Sequence, residues 1–196
     1  MKKANILVML LAACVLLSGC VQMPPGKAAD GLDWNDNWVT LGYVLGVDTP
    51  EGLTHREYND TLSTSGMYYA TWSMGEAVPF VNAEGEDATL YDAQVYVLLA
   101  GSDSAEKAED TLDSWLEMAQ EQYHVQQTTT QVCNGQTFTV MTYTYDSDTN
   151  PYAFGASAFG VYRNYAISVE LSCQEDLSED PQEILLDFLN HCHYGT

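Results

Sequence analysis

Asn134-Gly135 is the feature of this sequence that most restricts the fold. The dipeptide lies between two runs rich in threonine, valine and aromatic residues, 125–133 and 136–145. An Asn-Gly pair in that setting is the strongest short-range signal of a β-hairpin with a two-residue type I′ turn. The turn pairs the last residue of the first run with the first residue of the second. The chain is therefore predicted to contain an antiparallel β-sheet.

Other strands are predicted on both sides of this hairpin. The segment 159–171 is longer than an ordinary strand, so it is divided at Arg163-Asn164 into a second hairpin. The polar stretch 54–65 is predicted to be a turn or a short helix. Three earlier strands are predicted from their content of β-branched and aromatic residues: 39–47, 66–74 and 91–99.

Two helices are predicted from their start signals. Asp103 as N-cap and Glu106 three residues later form a capping box, and apolar residues at helical spacing follow as far as Tyr123. The stretch 180–183, Asp-Pro-Gln-Glu, opens a second helix whose apolar stripe reaches Cys192. The predicted order is βββαββββα. The predicted fold class is α+β, an antiparallel β-sheet with two covering helices.

This order of elements resembles the PsbP-like fold. The resemblance covers residues 38–193 and implies an α+β sandwich with a binding or assembly role. No position matches a functional motif of that family, so no site residue is carried over, and a fold does not fix a function. The segments that carry the resemblance are the strand and Pro-Glu-Gly turn at 47–52, the helix at 103–123, the hairpin at 133–136 and the closing strand and helix at 165–192.

The first twenty residues are typical of a bacterial export signal. Two lysines follow Met1, an apolar stretch covers residues 6–17, and Leu17-Ser18-Gly19-Cys20 resembles the lipoprotein box. The apolar stretch is shorter than the roughly 20 residues of a membrane-spanning helix. The resemblance implies cleavage before Cys20, acylation of its thiol and anchoring on the outer side of a bacterial membrane. An ordinary signal with a chance cysteine is the alternative.

Cleavage would divide the chain into a signal peptide at 1–19, a flexible tether at 20–37 and a single α+β domain at 38–196. The net charge would change from −22 to −24, since Lys2 and Lys3 leave with the signal. Such a charge opposes binding to the phosphates of nucleic acid and to anionic lipid headgroups. We therefore expect no nucleic-acid function. A cationic partner is permitted by the charge, which mostly serves solubility.

Three cysteines remain once Cys14 is removed with the signal and Cys20 is acylated. An exported compartment is oxidising, so one disulfide and one odd thiol are expected. If both predicted turns are tight, Cys133 and Cys173 lie at opposite ends of the sheet, and the last helix returns Cys192 to the Cys133 end. Cys133 and Cys192 are the predicted pair. Reduced, buried thiols are the alternative.

The indications of a metal site are weak. Asp146, Asp148 and Asn150 repeat the first three oxygen ligands of a calcium loop, but the glycine and glutamate that complete such a loop are missing. A solvated turn is predicted there, with a weak cation site as the alternative. The triplet 191–193, His-Cys-His, cannot converge on one ion because adjacent helical residues point about 100° apart. No metal or cofactor is therefore predicted.

The predicted function is a lipid-anchored, extracytoplasmic binding or assembly module without catalytic activity, whose ligand is a protein or a small molecule. A hydrolase of envelope glycan or cell wall is the alternative, because the many carboxylates could supply a catalytic pair. A carboxylate shielded in an apolar pocket would favour the enzyme, and a flat aromatic patch would favour the binder. Ser157 is no candidate nucleophile, since its surroundings lack the Gly-x-Ser-x-Gly spacing.

Overall fold

The computed structural model of the chain describes residues 37–42, 44–59, 66–82, 85–145, 150–175, 177 and 179–195. The described residues group into two compact units, one from the range 77–90 and one from the ranges 37–76 and 91–195. The elements are, in chain order, β1 (Trp38–Leu41), β2 (Leu45–Asp48), β3 (Leu53–Asn59), β4 (Met67–Met74), β5 (Val78–Val81), β6 (Asp87–Leu90), β7 (Ala93–Gly101), α1 (Ala105–Gln122), β8 (His124–Cys133), β9 (Gln136–Thr144), β10 (Phe154–Tyr162), β11 (Tyr165–Cys173), α2 (Pro181–Asn190) and β12 (Cys192–Tyr194).

The described part of the first unit is a two-stranded antiparallel hairpin of β5 and β6. Val78 pairs with Leu90 at its open end and Val81 with Asp87 next to the turn. Both valines are exposed.

The second unit is built around a seven-stranded sheet in the order β3-β4-β7-β11-β10-β9-β8, antiparallel throughout. Both predicted tight turns are confirmed, since Cys133 pairs with Gln136 and Tyr162 pairs with Tyr165. Asn134 has the positive φ, 47°, that a type I′ turn requires. The register therefore follows from local turn chemistry.

One face of this sheet, called the inner face below, is apolar. Helix α2 and a small sheet in the order β1-β2-β12 cover it. Trp72 lies at its centre without exposed surface, its ring edge-on to Phe188 at 5.0 Å and its indole N–H donating to Thr49 Oγ1 at 3.0 Å. The indole thus fills the space between the two layers and still satisfies its only donor.

The opposite face, called the outer face, is covered by α1. The apolar stripe predicted for this helix is confirmed, because Leu112, Trp115, Leu116 and Ala119 pack against Met141 and aromatic side chains of the sheet. The two helices therefore contact opposite faces of the sheet.

The number of strands departs from the predicted order βββαββββα, because seven strands precede α1 and one follows α2. The segment 39–47 folds back on itself as the β1–β2 hairpin instead of running through as one strand. The segment 54–65 was predicted to lack a strand, yet β3 extends to Asn59. Cys192 belongs to β12 rather than to the last helix. The central pairing of an antiparallel sheet with two helices is as predicted.

Helix α1 begins one residue later than predicted. Its N-cap is Ser104, whose hydroxyl accepts from the Lys107 backbone N–H at 3.2 Å. The carboxylate of Asp103 is instead paired with the Lys107 ammonium at 2.6 Å, so it does not cap the helix. The predicted cap of α2 is confirmed, since Asp180 Oδ1 accepts from the Gln182 N–H at 2.8 Å and Pro181 follows the cap.

Some predicted features lie outside the described residues. These are the signal and its lipobox with Cys20, most of the tether at 20–37, and Asp146 and Asp148 of the weak cation site. No helix in the described part of the chain has the length and apolar character needed to cross a membrane.

Candidate functional site

A row of polar residues crosses the middle of the outer face. Glu170 on β11 lies opposite Tyr96 of β7 and Ser157 of β10, and the row continues through Thr71 to Glu57 on the edge strand. The inner face of the same strands is apolar. Because successive side chains alternate between faces, this polar row lies on the face opposite the apolar core.

Tyrosine hydroxyls surround the carboxyl of Glu170. Tyr145 donates to Glu170 Oε1 at 2.9 Å and Tyr123 donates to the same oxygen at 3.3 Å. The Tyr145 hydroxyl also lies 2.7 Å from Ser172 Oγ. We call Tyr123, Tyr143, Tyr145 and Glu170 the tyrosine–carboxyl cluster.

The rings of the cluster are packed into one arrangement. Tyr123 and Tyr143 stack with centroids 4.1 Å apart and planes within 6° of each other. Tyr145 meets both rings edge-on, at 5.5 Å and 5.4 Å. The Tyr143 hydroxyl lies 2.8 Å from Ser157 Oγ, which holds the fully buried ring in place. Offset and edge-on contacts between aromatic rings each add to the stability gained from burial.

A glycine makes room for this packing. A Cβ on Gly155 would lie 2.2 Å from the Tyr143 ring carbon Cε2. Carbon atoms in contact normally stay about 3.5 to 4.0 Å apart. The Tyr143 ring therefore occupies the space that any other residue at position 155 would need.

The environment of the cluster raises the pKa of each of its titratable groups. Burial raises the pKa of Glu170, and the tyrosine hydroxyls that donate to its carboxyl act in the opposite direction. Burial also raises the pKa of Tyr123, Tyr143 and Tyr145, and the negative charge of Glu170 raises these values further. The phenols thus remain hydrogen-bond donors at physiological pH.

The polar surface extends beyond the cluster. Tyr152 donates to Gln94 Oε1 at 3.3 Å, and burial raises its pKa to about 12. Arg56 donates to Ser73 Oγ at 2.6 Å, and its guanidinium lies 4.9 Å from the centre of the Tyr91 ring. Glu170, Tyr145, Tyr152 and Gln94 are only half-buried, so this surface is open to solvent in part.

A concavity of about 210 Å³ lies elsewhere in the same unit. It combines an apolar floor with carboxylates. Its volume is below the usual range for a pocket that encloses a whole small molecule. The lining residues are Pro50, Glu51, Leu53, Met74, Glu179, Glu183, Ile184 and Asp187.

Among the described residues, Cys133, Cys173 and Cys192 are buried free thiols. The predicted Cys133–Cys192 disulfide is therefore absent from the structure, which has the reduced alternative. Their predicted placement is right. Asn134, next to Cys133, donates to the carbonyl of Cys192 at 2.8 Å, whereas Cys173 pairs with Phe154 at the far end of the sheet. Burial raises the pKa of Cys173 to about 12.

Asn150 and the histidines of the 191–193 triplet each have local partners. Asn150 Oδ1 accepts from the Tyr152 backbone N–H at 2.9 Å, closing a local turn. His191 Nδ1 lies 2.9 Å from the Asp187 carbonyl, and His193 stacks on Trp38 at 5.3 Å. No group of three or more metal-ligating side chains occurs among the residues that the structure describes.

Ser157 has a structural role. It is buried on β10, an interior strand of the sheet. Residues 154–162 are all strand, so Ser157 does not lie on the strand-to-helix turn of a nucleophile elbow. Its hydroxyl is bound to Tyr143.

No protein-family model and no curated protein sequence matches the chain. Among solved structures, a protein from Bacteroides thetaiotaomicron has a TM-score of 0.49 and 6% identity, over 77% of this chain and 45% of its own length. The cyanobacterial PsbP (CyanoP) from Synechocystis sp. has a TM-score of 0.48 and 12% identity, over 86% of this chain and 99% of its own length. The chain thus spans less than half the length of the Bacteroides protein. Neither likeness carries a function over to this chain.

Sequence reasoning missed Glu170 as a site residue. The predicted strand places Tyr165, Ile167, Val169 and Leu171 on one face, which leaves Glu170 on the other. An acidic residue in the middle of a strand, on the face that a helix covers, was the signal that could have found it.

Proposed function

We propose that this chain is a lipid-anchored, extracytoplasmic binding or assembly module without catalytic activity. Support for the binding role comes from the tyrosine–carboxyl cluster, where fixed hydroxyls and one carboxyl converge on a half-buried point of the outer face. A few polar groups held in fixed positions are typical of sites that orient a ligand. The ligand is a protein or a small molecule that meets Tyr145, Tyr152 and Gln94 at the open side of the cluster.

The spacing of carboxylates supports binding over catalysis. The nearest described carboxylate in the row of Glu170 is Glu57, three strands away. At about 4.8 Å between strands, this separation is roughly 14 Å. Glycosidases place their two carboxyl groups about 5 to 9.5 Å apart. The row therefore lacks a catalytic pair.

A hydrolase of envelope glycan is the second candidate, and Glu170 is the observation that favours it. A carboxyl whose pKa is raised by burial is the group that a general acid requires. Glu170→Gln separates the two candidates, since it keeps the size of the side chain and removes the acid. Release of soluble fragments from purified cell wall by the unaltered chain, lost in Glu170→Gln, would establish the hydrolase.

The anchor is proposed from the sequence Leu17-Ser18-Gly19-Cys20 after an apolar stretch. Two or three acyl chains give stable attachment, whereas one chain gives only marginal binding. The chain would then reside at the cell surface or envelope with its domain beyond a short tether. Expression in a bacterium should give a membrane-bound product whose mass includes acyl chains on Cys20. Cys20→Ala should abolish both, and an unmodified Cys20 in the mature protein would contradict the anchor.

A further inference from the structure

The two edges of the seven-stranded sheet differ in how they are protected. At one edge, β3 is short, charged and broken by a register shift between His55 and Glu57. Charges and bulges of this kind keep an edge strand from pairing with another chain. At the other edge, β8 is ten residues long and carries no Asp, Glu, Lys or Arg. Its own register shift lies near one end, between Val125 and Gln127, and its pairing with β9 is regular from Gln127 to Cys133. Among the described residues, no strand pairs with its outer side.

The sequence of β8 matches itself in reverse. Around Thr129, the neighbours are Thr128 and Thr130, and the next pair is Gln127 and Gln131. Two copies of β8 that pair antiparallel about Thr129 would therefore place threonine opposite threonine and glutamine opposite glutamine. Threonine pairs directly opposite each other stabilise an antiparallel sheet.

Thr129 supplies an independent observation at the centre of this match. Its Oγ1 is buried and has no hydrogen-bond partner among the described residues. A buried polar atom without a partner is unusual and unfavourable. A twofold axis perpendicular to the sheet would bring the second copy's Thr129 opposite, on the same face, with Cβ atoms about 4.5 to 5.5 Å apart. Each hydroxyl could then bind its symmetry mate.

We propose that two copies of this chain associate through β8, antiparallel and centred on Thr129, so that their seven-stranded sheets become continuous. Such an interface is isologous and closed, and it hides the unprotected edge in both copies. In this dimer the free edge of β8 binds a second copy, and the outer face of each sheet stays free for a ligand.

The charge of the chain does not prevent this association. Each copy carries a net charge of −22, but β8 is uncharged and the acidic α1 packs over β10 and β11. From β10 to its symmetry mate there are five strand spacings, roughly 24 Å. This exceeds the Debye length of about 8 Å at physiological ionic strength. The association is therefore expected to strengthen as salt is raised from low ionic strength.

Sedimentation velocity of the purified full chain tests the proposal. We expect the unaltered chain to sediment with twice the monomer mass at micromolar concentration and physiological salt. Thr130→Lys should give a monomer, because it places a lysine ammonium group on the exposed face of β8 in each copy. Thr54→Lys is the matched control, because it makes the same change at an exposed position on β3 and should leave the dimer intact. Circular dichroism checks that both variants are folded, and Thr128→Lys replaces Thr130→Lys if the latter fails to fold.

A monomeric unaltered chain at all accessible concentrations and salts would overturn the proposal. So would a dimer that survives Thr130→Lys and Thr128→Lys, or one lost in Thr54→Lys. Hydrogen exchange locates the interface independently. Amides of β8 that point away from β9 should become protected as concentration rises, and unchanged exchange there in a dimeric sample would also refute it.

Discussion

Gly155→Ala is the sharpest test of the tyrosine–carboxyl cluster. The added Cβ would lie 2.2 Å from Cε2 and 2.6 Å from Cζ of Tyr143. To restore a normal carbon contact of about 3.5 Å, the ring has to move by roughly 1.3 Å. Tyr143 cannot move freely, because it is fully buried, stacked on Tyr123 and bound to Ser157.

The magnitude follows from two contributions. Overpacking of a filled core costs about 1 to 3 kcal/mol. Loss of the hydrogen bond between Tyr143 and Ser157 adds about 1 kcal/mol. The free energy of unfolding should therefore fall by about 2 to 4 kcal/mol. In a domain of this size, the Tm should fall by about 5 to 15 °C.

Thermal and urea unfolding followed by far-ultraviolet circular dichroism measure this loss. Gly135→Ala is the comparison, because no atom lies within 4 Å of its added Cβ and only its positive φ, 77°, is strained. It should leave the near-ultraviolet signal of the tyrosines unchanged, whereas Gly155→Ala should reduce it. In a Tyr143→Leu background, the cost of Gly155→Ala should shrink. An equal cost in both backgrounds would show that the ring contact is not the cause.

Two further predictions concern titration and thiol chemistry. Because the pKa of Glu170 is raised in the folded chain, its protonated carboxyl contributes to the stability of the fold. This stabilisation is lost as pH rises through the raised pKa. The stability of the unaltered chain relative to Glu170→Gln should therefore decline from acid to neutral pH in urea titrations, and a difference independent of pH would contradict this. The three thiols should resist alkylation until the chain unfolds, because Cys133, Cys173 and Cys192 are buried and have raised pKa values. A Cys133–Cys192 disulfide in nonreducing peptide maps would contradict this and restore the pairing predicted from the sequence.

The sequence predicted those features whose causes are local. The Asn-Gly hairpin needs two residues that tolerate a positive φ, and Asn134 and Gly135 have φ values of 47° and 77°. The α2 cap needs an acceptor directly before a proline, as Asp180 provides. Each requirement is met within four consecutive residues, so it can be recognised without knowledge of the rest of the fold.

Features that join distant segments were not predicted. Cys192 was assigned to the last helix because it continues the apolar stripe, but its backbone pairs with Val47 in the small sheet. The helical pattern and the β-bridge both bury this side chain, so periodicity alone could not separate them. The β1–β2 hairpin was missed for a related reason, since the left-handed Gly42 lies within an otherwise strand-like run.

The candidate site depends both on local features and on the pairing of distant segments. Glu170, Tyr123 and Tyr145 come from β11, the end of α1 and the end of β9, and only the strand order brings them together. Alternation within each strand predicts on which face a side chain lies. Whether side chains from different strands are close together can be predicted only from the register between the strands. A site of this kind is predictable from sequence only after the sheet order is known.

The fold does not require the polar residues that lie on the outer face of the sheet. The inner face shows that these strands can be stabilised by apolar packing alone, whereas a buried carboxyl is favourable only when partners satisfy it. The chain supplies those partners from two separate elements, the end of α1 and the end of β9, and leaves position 155 without a side chain so that Tyr143 fits. Because ionisable groups with shifted pKa values cluster at functional sites, Glu170 and its tyrosines are the part of the molecule where a ligand should first be sought.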